Sequence, residues 1–256
     1  MITFIVQARV GSTRLPQKIL LPFYEGKSIL ELLIAKFRLV SNTQILIATS
    51  DDSKNDVIEE IALSNNVKCF RGSENDVLQR FIDAAEYVGA EQIIRVCSDN
   101  PFLELASIQT LVNRVSDEKC DYMSFWVDGK PSIKTHFGFW TEYVTLKALK
   151  KVRVLTEDSL YHEHVTNFIY SHPKDFVVSW INGPDVLKGR DDIRLTTDTI
   201  DDFKTAQTVY SRLVGVQIYP TIAQVVSFLD QHGELLQCAT TILFIRTILL
   251  HNFLWQ

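Results

Sequence analysis

The sequence has no CxxC pair, no GxxxxGK[ST] phosphate loop and no GxGxxG fingerprint. Its four cysteines, Cys69, Cys97, Cys120 and Cys238, are widely spaced, and three sit in or beside apolar, strand-like runs. They read as small buried hydrophobes in a reducing compartment rather than as disulfides or a zinc site. Positive charge is also short: 26 Lys and Arg stand against 31 Asp and Glu, a net charge of −5. A whole-surface attraction to nucleic acid or anionic lipid is excluded, and only a local basic pocket is left open. No basic leader or cleavable apolar stretch precedes the first strand-like run, so the chain is expected to be cytoplasmic. No repeat, low-complexity tract or Gly/Ser/Pro-rich linker divides it. One domain is expected over residues 1–233, followed by an atypical apolar tail at 234–256.

What is present is an ordinary core-forming composition: 256 residues, 46% apolar and 22% charged. Such a chain buries a large core without covalent staples. The first half alternates short apolar runs with helical patterns. Strands are expected at 2–6, 44–48, 67–70 and 92–97. Between and after them, helices open at Ser28-x-x-Glu31, a capping box, at Ser53-x-x-Asp56, at Ser73-x-x-Asp76 and over 105–115. Val57, Ile58 and Ile61 are expected to face inward on the second of these. This alternation predicts an α/β fold of Rossmann-like type, with a mainly parallel central sheet and helices on both faces. The second half is less regular. Strands are expected at 121–127, 132–140, 176–181 and 192–197, and helices at 156–170 and 201–213. The region 127–140 suits a small antiparallel excursion.

In parallel sheets ligands sit beyond the carboxyl ends of the strands, so the loops there carry the chemistry. The loop after the first strand holds Arg9, Arg14 and Lys18 within ten residues. Gly11 permits close backbone approach, and Ser12 and Thr13 add hydroxyls and amides. A triphosphate carries about four negative charges, and guanidinium groups grip its oxygens in bidentate pairs. The loop after the fourth strand offers Asp99 beside Ser98, and Asp198 stands at the end of a later apolar run. Each suits Mg²⁺, which takes one or two carboxylates plus phosphate oxygens; each also suits a simple helix or turn cap. Asp201 and Asp202 fit the first turn of a helix, where they complement its dipole. Arg71, Ser73 and Asp76 lie in the loop after the third strand, where polar groups face a nucleobase edge or cap the next helix. His162 and His164 diverge by about 200° on a helix, unlike the paired ligands of HExxH.

Five segments together resemble a known family. They are QARVGSTRLPQK at 7–18, FRGSENDVLQR at 70–80, RVCSDNP at 95–101, EHVT at 163–166 and RLTTDT at 194–199. In this order, over about residues 2–232, they are similar to the cytidylyltransferases that activate surface sugars. These include the 3-deoxy-manno-octulosonate enzymes and, more closely, the spore-coat-polysaccharide type. The resemblance implies a nucleotide-diphospho-sugar transferase fold, a Mg²⁺ cofactor and CTP as donor. It places the phosphate grip on Arg9, Arg14 and Lys18 and the metal on Asp99 and Asp198, with Asp198 as an alternative base. Ala8, Gly11, Ser12, Thr13, Arg71, Ser73, Asp76 and Ser98 are the implied nucleotide contacts. His136, Glu142, Glu163 and His164 are candidates on the acceptor side. The chain departs from the family at Gln17, where a Gly is usual, at Trp140, where the spore-coat type tends to have an acid, and at His162, where an Arg is usual.

The expected reaction transfers CMP from CTP to a sugar acid or sugar phosphate, releasing pyrophosphate, in a homodimeric enzyme of surface-polysaccharide or glycoconjugate synthesis. The rivals are a related enzyme using GTP or another nucleoside triphosphate and a catalytically silent nucleotide-binding protein of the same fold. The apolar run 240–255 is interrupted by Arg246, His251 and Asn252, whereas a membrane span needs about 20 mostly apolar residues. No span is expected there; a docking helix, a dimer element and an altered reading frame are the alternatives.

Overall fold

The computed structural model describes residues 1–12, 14–215 and 218–236. The tail from 237 onward, with Cys238, therefore lies outside the described residues, as does Thr13. In chain order the elements are β1 (Ile2–Gln7), β2 (Pro22–Tyr24), β3 (Lys27–Ser28), α1 (Ile29–Phe37), β4 (Thr43–Ser50), α2 (Asp56–Ser64), β5 (Lys68–Gly72), α3 (Val77–Tyr87), β6 (Gln92–Cys97) and α4 (Leu105–Asp117). There follow β7 (Tyr122–Val127), β8 (Lys130–Pro131), β9 (Glu142–Thr145), α5 (Leu146–Leu155), α6 (Ser159–Glu163), α7 (Asn167–Ser171), β10 (Val178–Asn182), α8 (Ile200–Val214) and α9 (Ile222–Gln231).

The main sheet runs β10-β7-β9-β6-β1-β4-β5, with β8 pairing β7 at the side. β6, β1, β4 and β5 are parallel, and β9 enters antiparallel between β6 and β7. The chain leaves β1 toward β4 and β5 and returns to the opposite side of β1 as β6. The strand order thus reverses at β1/β6, the switch point where parallel sheets open a crevice. The register pairs Gln7 with Cys97, so both strands end level and the two following loops face each other.

Strands buried on both faces carry unbroken apolar runs, as β1 does. Its Phe4 and Val6 face a core with α1, α2, α4, α8 and α9, while Ile5 faces the opposite core with α3, α5 and α7. The Ser28–Glu31 capping box forms as expected: Ser28 Oγ accepts from the Glu31 amide, and Glu31 Oε2 accepts from the Ser28 amide. α8 opens with a second such box on Thr199 and Asp202, which gives Asp202 its structural role.

Several expectations are corrected. The cap preceding α2 is Asp52, which accepts from the Lys54 amide, and α2 buries Ile58 and Ala62 while Val57 is exposed. Asp76 alone caps α3; Ser73 Oγ instead braces the Asp76 amide. Residues 132–140 are a short 3-10 turn and irregular chain, because Gly138 sits at φ +71° and interrupts extension. Residues 192–197 form no ladder; Leu195 and Thr196 donate to His136 O, and Thr197 to Asp99 O. The expected helix 156–170 breaks into α6 and α7 where Thr166 turns inward to bond Glu142. α5 and α9 arise where no element was expected. The β7–β8 hairpin is the small antiparallel excursion.

Candidate active site at the carboxyl ends of β1 and β6

The crevice at the switch point is lined by four segments, one of them the end of α6, which brings Glu163. The loop after β1 brings Arg9, Arg14 and Lys18. The loop after β6 brings Asp99, and the stretch before α8 brings Asp198. Lys18 Nζ lies 2.7 Å from Asp99 Oδ2 and 3.7 Å from Asp198 Oδ1, so one ammonium bridges two carboxylates 99 residues apart in sequence. It also donates to Thr197 O at 2.7 Å. Arg14 reaches Asp198 Oδ1 at 3.1 Å, and Arg9 reaches Glu163 Oε1 at 3.2 Å. Each cation of the first loop is thus parked on a carboxylate of the crevice.

Supporting bonds hold these groups in place. Asn55, before α2, accepts from the Val10 amide at 2.9 Å and donates to Ser50 Oγ at 2.6 Å. Ser98 Oγ donates to Gln7 O at 2.6 Å, joining the two loops at their roots. Asp198 Oδ2 is held by Arg194 at 2.7 Å, and Arg194 is anchored in turn on Asp202 at 2.9 Å. Ala8 is buried, with its amide on Ala48 O. An added Cβ at Gly11 would meet Glu74 Oε1 at 3.8 Å, an ordinary contact, so the expected close approach is not made to the protein itself. Ser12 Oγ accepts from the Leu15 amide. Gln17 holds φ +56°, a left-handed conformation that suits glycine.

Next to the two aspartates opens a cleft of about 400 Å³ walled by Lys134, His136, Gly138, Trp140, His164 and Thr196, among others. His136 stands at its mouth; desolvation and then the charge of Arg194 press its pKa below 6.5. Gly138 is required here: a Cβ would lie 3.3 Å from Asn100 Oδ1 and 3.4 Å from the Leu195 backbone, at a left-handed φ. Trp140 is buried and donates to Ser107 Oγ at 3.2 Å, which makes it a wall of the cleft. Two wall atoms, Asn100 Oδ1 and Thr196 Oγ1, are buried with no hydrogen-bond partner in the structure.

Two expected site residues are not brought to the crevice. Arg71 turns onto α2, with Nη1 at 2.6 Å from Asp56 and 3.0 Å from Glu59. Glu142 is 2% exposed, with its carboxylate divided among Arg95 at 2.6 Å, Thr166 at 3.1 Å and Tyr122. It is an internal junction: Arg95 continues to Gln7 at the root of the first loop, and Thr166 follows the segment of Glu163 and His164. Asp76 divides between its α3 cap and His162, whose Nδ1 lies 2.8 Å away. The sequence reading missed Asn55, Arg194 as a holder of Asp198, and the Arg95–Glu142 pair.

The donor set suits Mg²⁺. Two hard carboxylates, Asp99 and Asp198, converge on the Lys18 ammonium. An ion there would be completed by phosphate oxygens and water. The three described thiols, Cys69, Cys97 and Cys120, are free, and burial raises each to about 11, so they stay protonated. No helix among the described residues is long and apolar enough to cross a membrane.

A parallel sheet that reverses at β1/β6, with a basic loop facing two carboxylates there, defines a nucleotidyltransferase fold. A cytidylyltransferase structure from Leptospira borgpetersenii shares it with a TM-score of 0.79 at 24% identity, over 92% of this chain and 96% of that one. A CMP-2-keto-3-deoxy-manno-octonic acid synthetase complexed with CTP shares it with a TM-score of 0.62 at 14% identity, over 81% and 97%. The chain belongs to the cytidylyltransferase family, which it matches over residues 3–242. It is also similar to the spore coat polysaccharide biosynthesis protein SpsF of Bacillus subtilis, at 32% identity over 91% of this chain and 95% of that protein.

Proposed function

We propose that this chain transfers CMP from CTP to a sugar acid or sugar phosphate in the cytoplasm, releasing pyrophosphate, as a step toward a surface polysaccharide or glycoconjugate. The observation that carries the reading is the Lys18 bridge between Asp99 and Asp198, with Arg14 beside it. A triphosphate entering the crevice offers oxygens to Arg9, Arg14 and Lys18, and so draws them off their carboxylates. Asp99 and Asp198, thereby released, would hold the Mg²⁺. That ion, when bound, offsets phosphate charge and orients the α-phosphorus. Asp99 and Asp198 exchange one cation for another, and Glu163, whose side chain is 43% exposed, is left to solvent, which keeps the cost of binding low.

Arg194, fixed on Asp202, keeps Asp198 aimed at the crevice through the exchange. An acceptor oxygen attacks the α-phosphorus in line, and the cations of the first loop stabilise the departing pyrophosphate. Such transfer rests mostly on positioning and on stabilising charge. The neighbouring cleft is the acceptor's place. Lys134 and His164 suit an acidic substituent. The enzyme works as a homodimer in this reading. Pyrophosphate release measured with Mg²⁺ across four nucleoside triphosphates and a panel of sugar acids and sugar phosphates tests it. Release with CTP and one acceptor class is expected; release with no combination refutes it.

A further inference from the structure

α1 turns its inward stripe through Ile29, Leu33 and Lys36, and the lysine is as buried as its neighbours, at 5% exposure. Its Nζ donates to Leu103 O at 2.6 Å and to Pro101 O at 3.2 Å. Both carbonyls belong to the turn that starts at Asp99. The charged group acting on Lys36 is Glu104, whose carboxylate is engaged by the Ile222 amide and by Ser107. Burying an amine needs a reason, because an apolar side chain of equal length fills the same space without a desolvation cost.

The reason lies in the turn. Residues 99–104 leave β6 and make no strand pairing, so their carbonyls need partners from elsewhere. Asp99 O receives Thr197, through both amide and hydroxyl, and the Glu104 amide donates to Phe139 O. Between those two points, Lys36 supplies both remaining ties. An amine has two N–H groups for two carbonyls whether charged or neutral.

We propose that Lys36 is a positioning residue: it fixes the turn after β6 so that Asp99 meets Lys18 and Asp198 across the crevice. The catalytic half of this inference rests on the reading of Asp99 as part of the nucleotidyl-transfer site. The mechanical half does not.

The test compares Lys36→Met, which keeps length and removes both donors, with Lys36→Gln, which keeps two N–H groups on a shorter stem. Amide hydrogen exchange and steady-state kinetics are measured on the full chain. In Lys36→Met, exchange is expected to speed up over 99–104 and in the facing 137–140, with β1 and β4 unchanged. Turnover should fall about tenfold or more, while KM for CTP stays within about twofold. Lys36→Gln should recover part of both effects, and it carries the comparison if the methionine variant folds poorly. Faster exchange spread over the whole sheet, or full turnover in Lys36→Met with a loosened turn, overturns the proposal. If the wild-type chain releases no pyrophosphate, the functional reading fails on its own, and the exchange pattern alone decides whether Lys36 ties the turn.

Discussion

Lys36 also makes stability depend on pH in a calculable direction. Burial lowers its pKa from 10.5 to about 7, opposed by the charge of Glu104. Below pH 7 the lysine is protonated in both states, and the fold bears the cost of a buried ammonium. Between pH 7 and 10.5 the unfolded chain holds a proton that the folded chain has released. Stability therefore rises with pH across that window, by about 5 kcal/mol in the limit. Between pH 7 and pH 9 the same relation gives about 2 kcal/mol. The buried thiols act in the opposite sense, since they are raised to about 11 and lose stability for the fold above their ordinary 9. The perturbation that isolates the lysine is Lys36→Met, which leaves the thiols in place. Urea unfolding of both proteins at half-unit steps from pH 6.5 to 9 supplies the assay. The difference, wild type minus variant, should grow by about 2 kcal/mol from pH 7 to 9. Parallel curves would refute the reasoning, because they would mean that the amine is solvated in the folded state.

Three further outcomes follow from the same geometry. Arg14 is largely exposed and pairs only at the surface, so Arg14→Ala should leave the melting temperature almost unchanged. KM for CTP should nevertheless rise about tenfold, as expected for one lost charge-assisted bond to phosphate; equal KM values would remove Arg14 from the grip. Glu142→Gln leaves Arg95 charged in the interior and should cost about 3–5 kcal/mol in chemical denaturation. An unchanged unfolding midpoint would mean that Glu142 is not the counter-ion of Arg95. Gln17 occupies a left-handed backbone, so Gln17→Gly should stabilise the fold by up to about 1 kcal/mol, read as a small rise in melting temperature. A fall would show that the glutamine side chain makes a compensating contact.

The parallel half of the fold was legible because its strands are buried on both faces and its helices open with capping residues. Ser28 and Glu31 announce α1 in sequence and bond as a box in space. The antiparallel half was harder. β9 has only four residues, and the apolar alternation of 132–140 reads as a strand until Gly138 turns at positive φ. Thr166 breaks the expected helix 156–170 through a bond to Glu142, 24 residues away, which no local pattern encodes. In the site, Arg9, Arg14, Lys18, Asp99 and Asp198 were readable because each follows an expected strand and carries charge. The direction of a side chain at a strand end was not readable. Arg71, expected at the base, and Glu142, expected at the acceptor, are drawn elsewhere: Asp56 and Glu59 take one to α2, and Arg95 takes the other inside. Lys36 left one signal, its place in the Ile29–Leu33 stripe, where an inward lysine needs buried acceptors.

If the chain uses CTP as proposed, the crevice at the ends of β1 and β6 holds its triphosphate. A crystal structure grown with CTP and Mg²⁺ tests it most directly. Arg9, Arg14 and Lys18 are expected to have moved from their carboxylates onto phosphate oxygens, with the ion held by Asp99 and Asp198. The proposed function is contradicted if the nucleotide lies elsewhere on the sheet, or if it binds in the crevice while the Lys18–Asp99 and Arg14–Asp198 pairs stay intact.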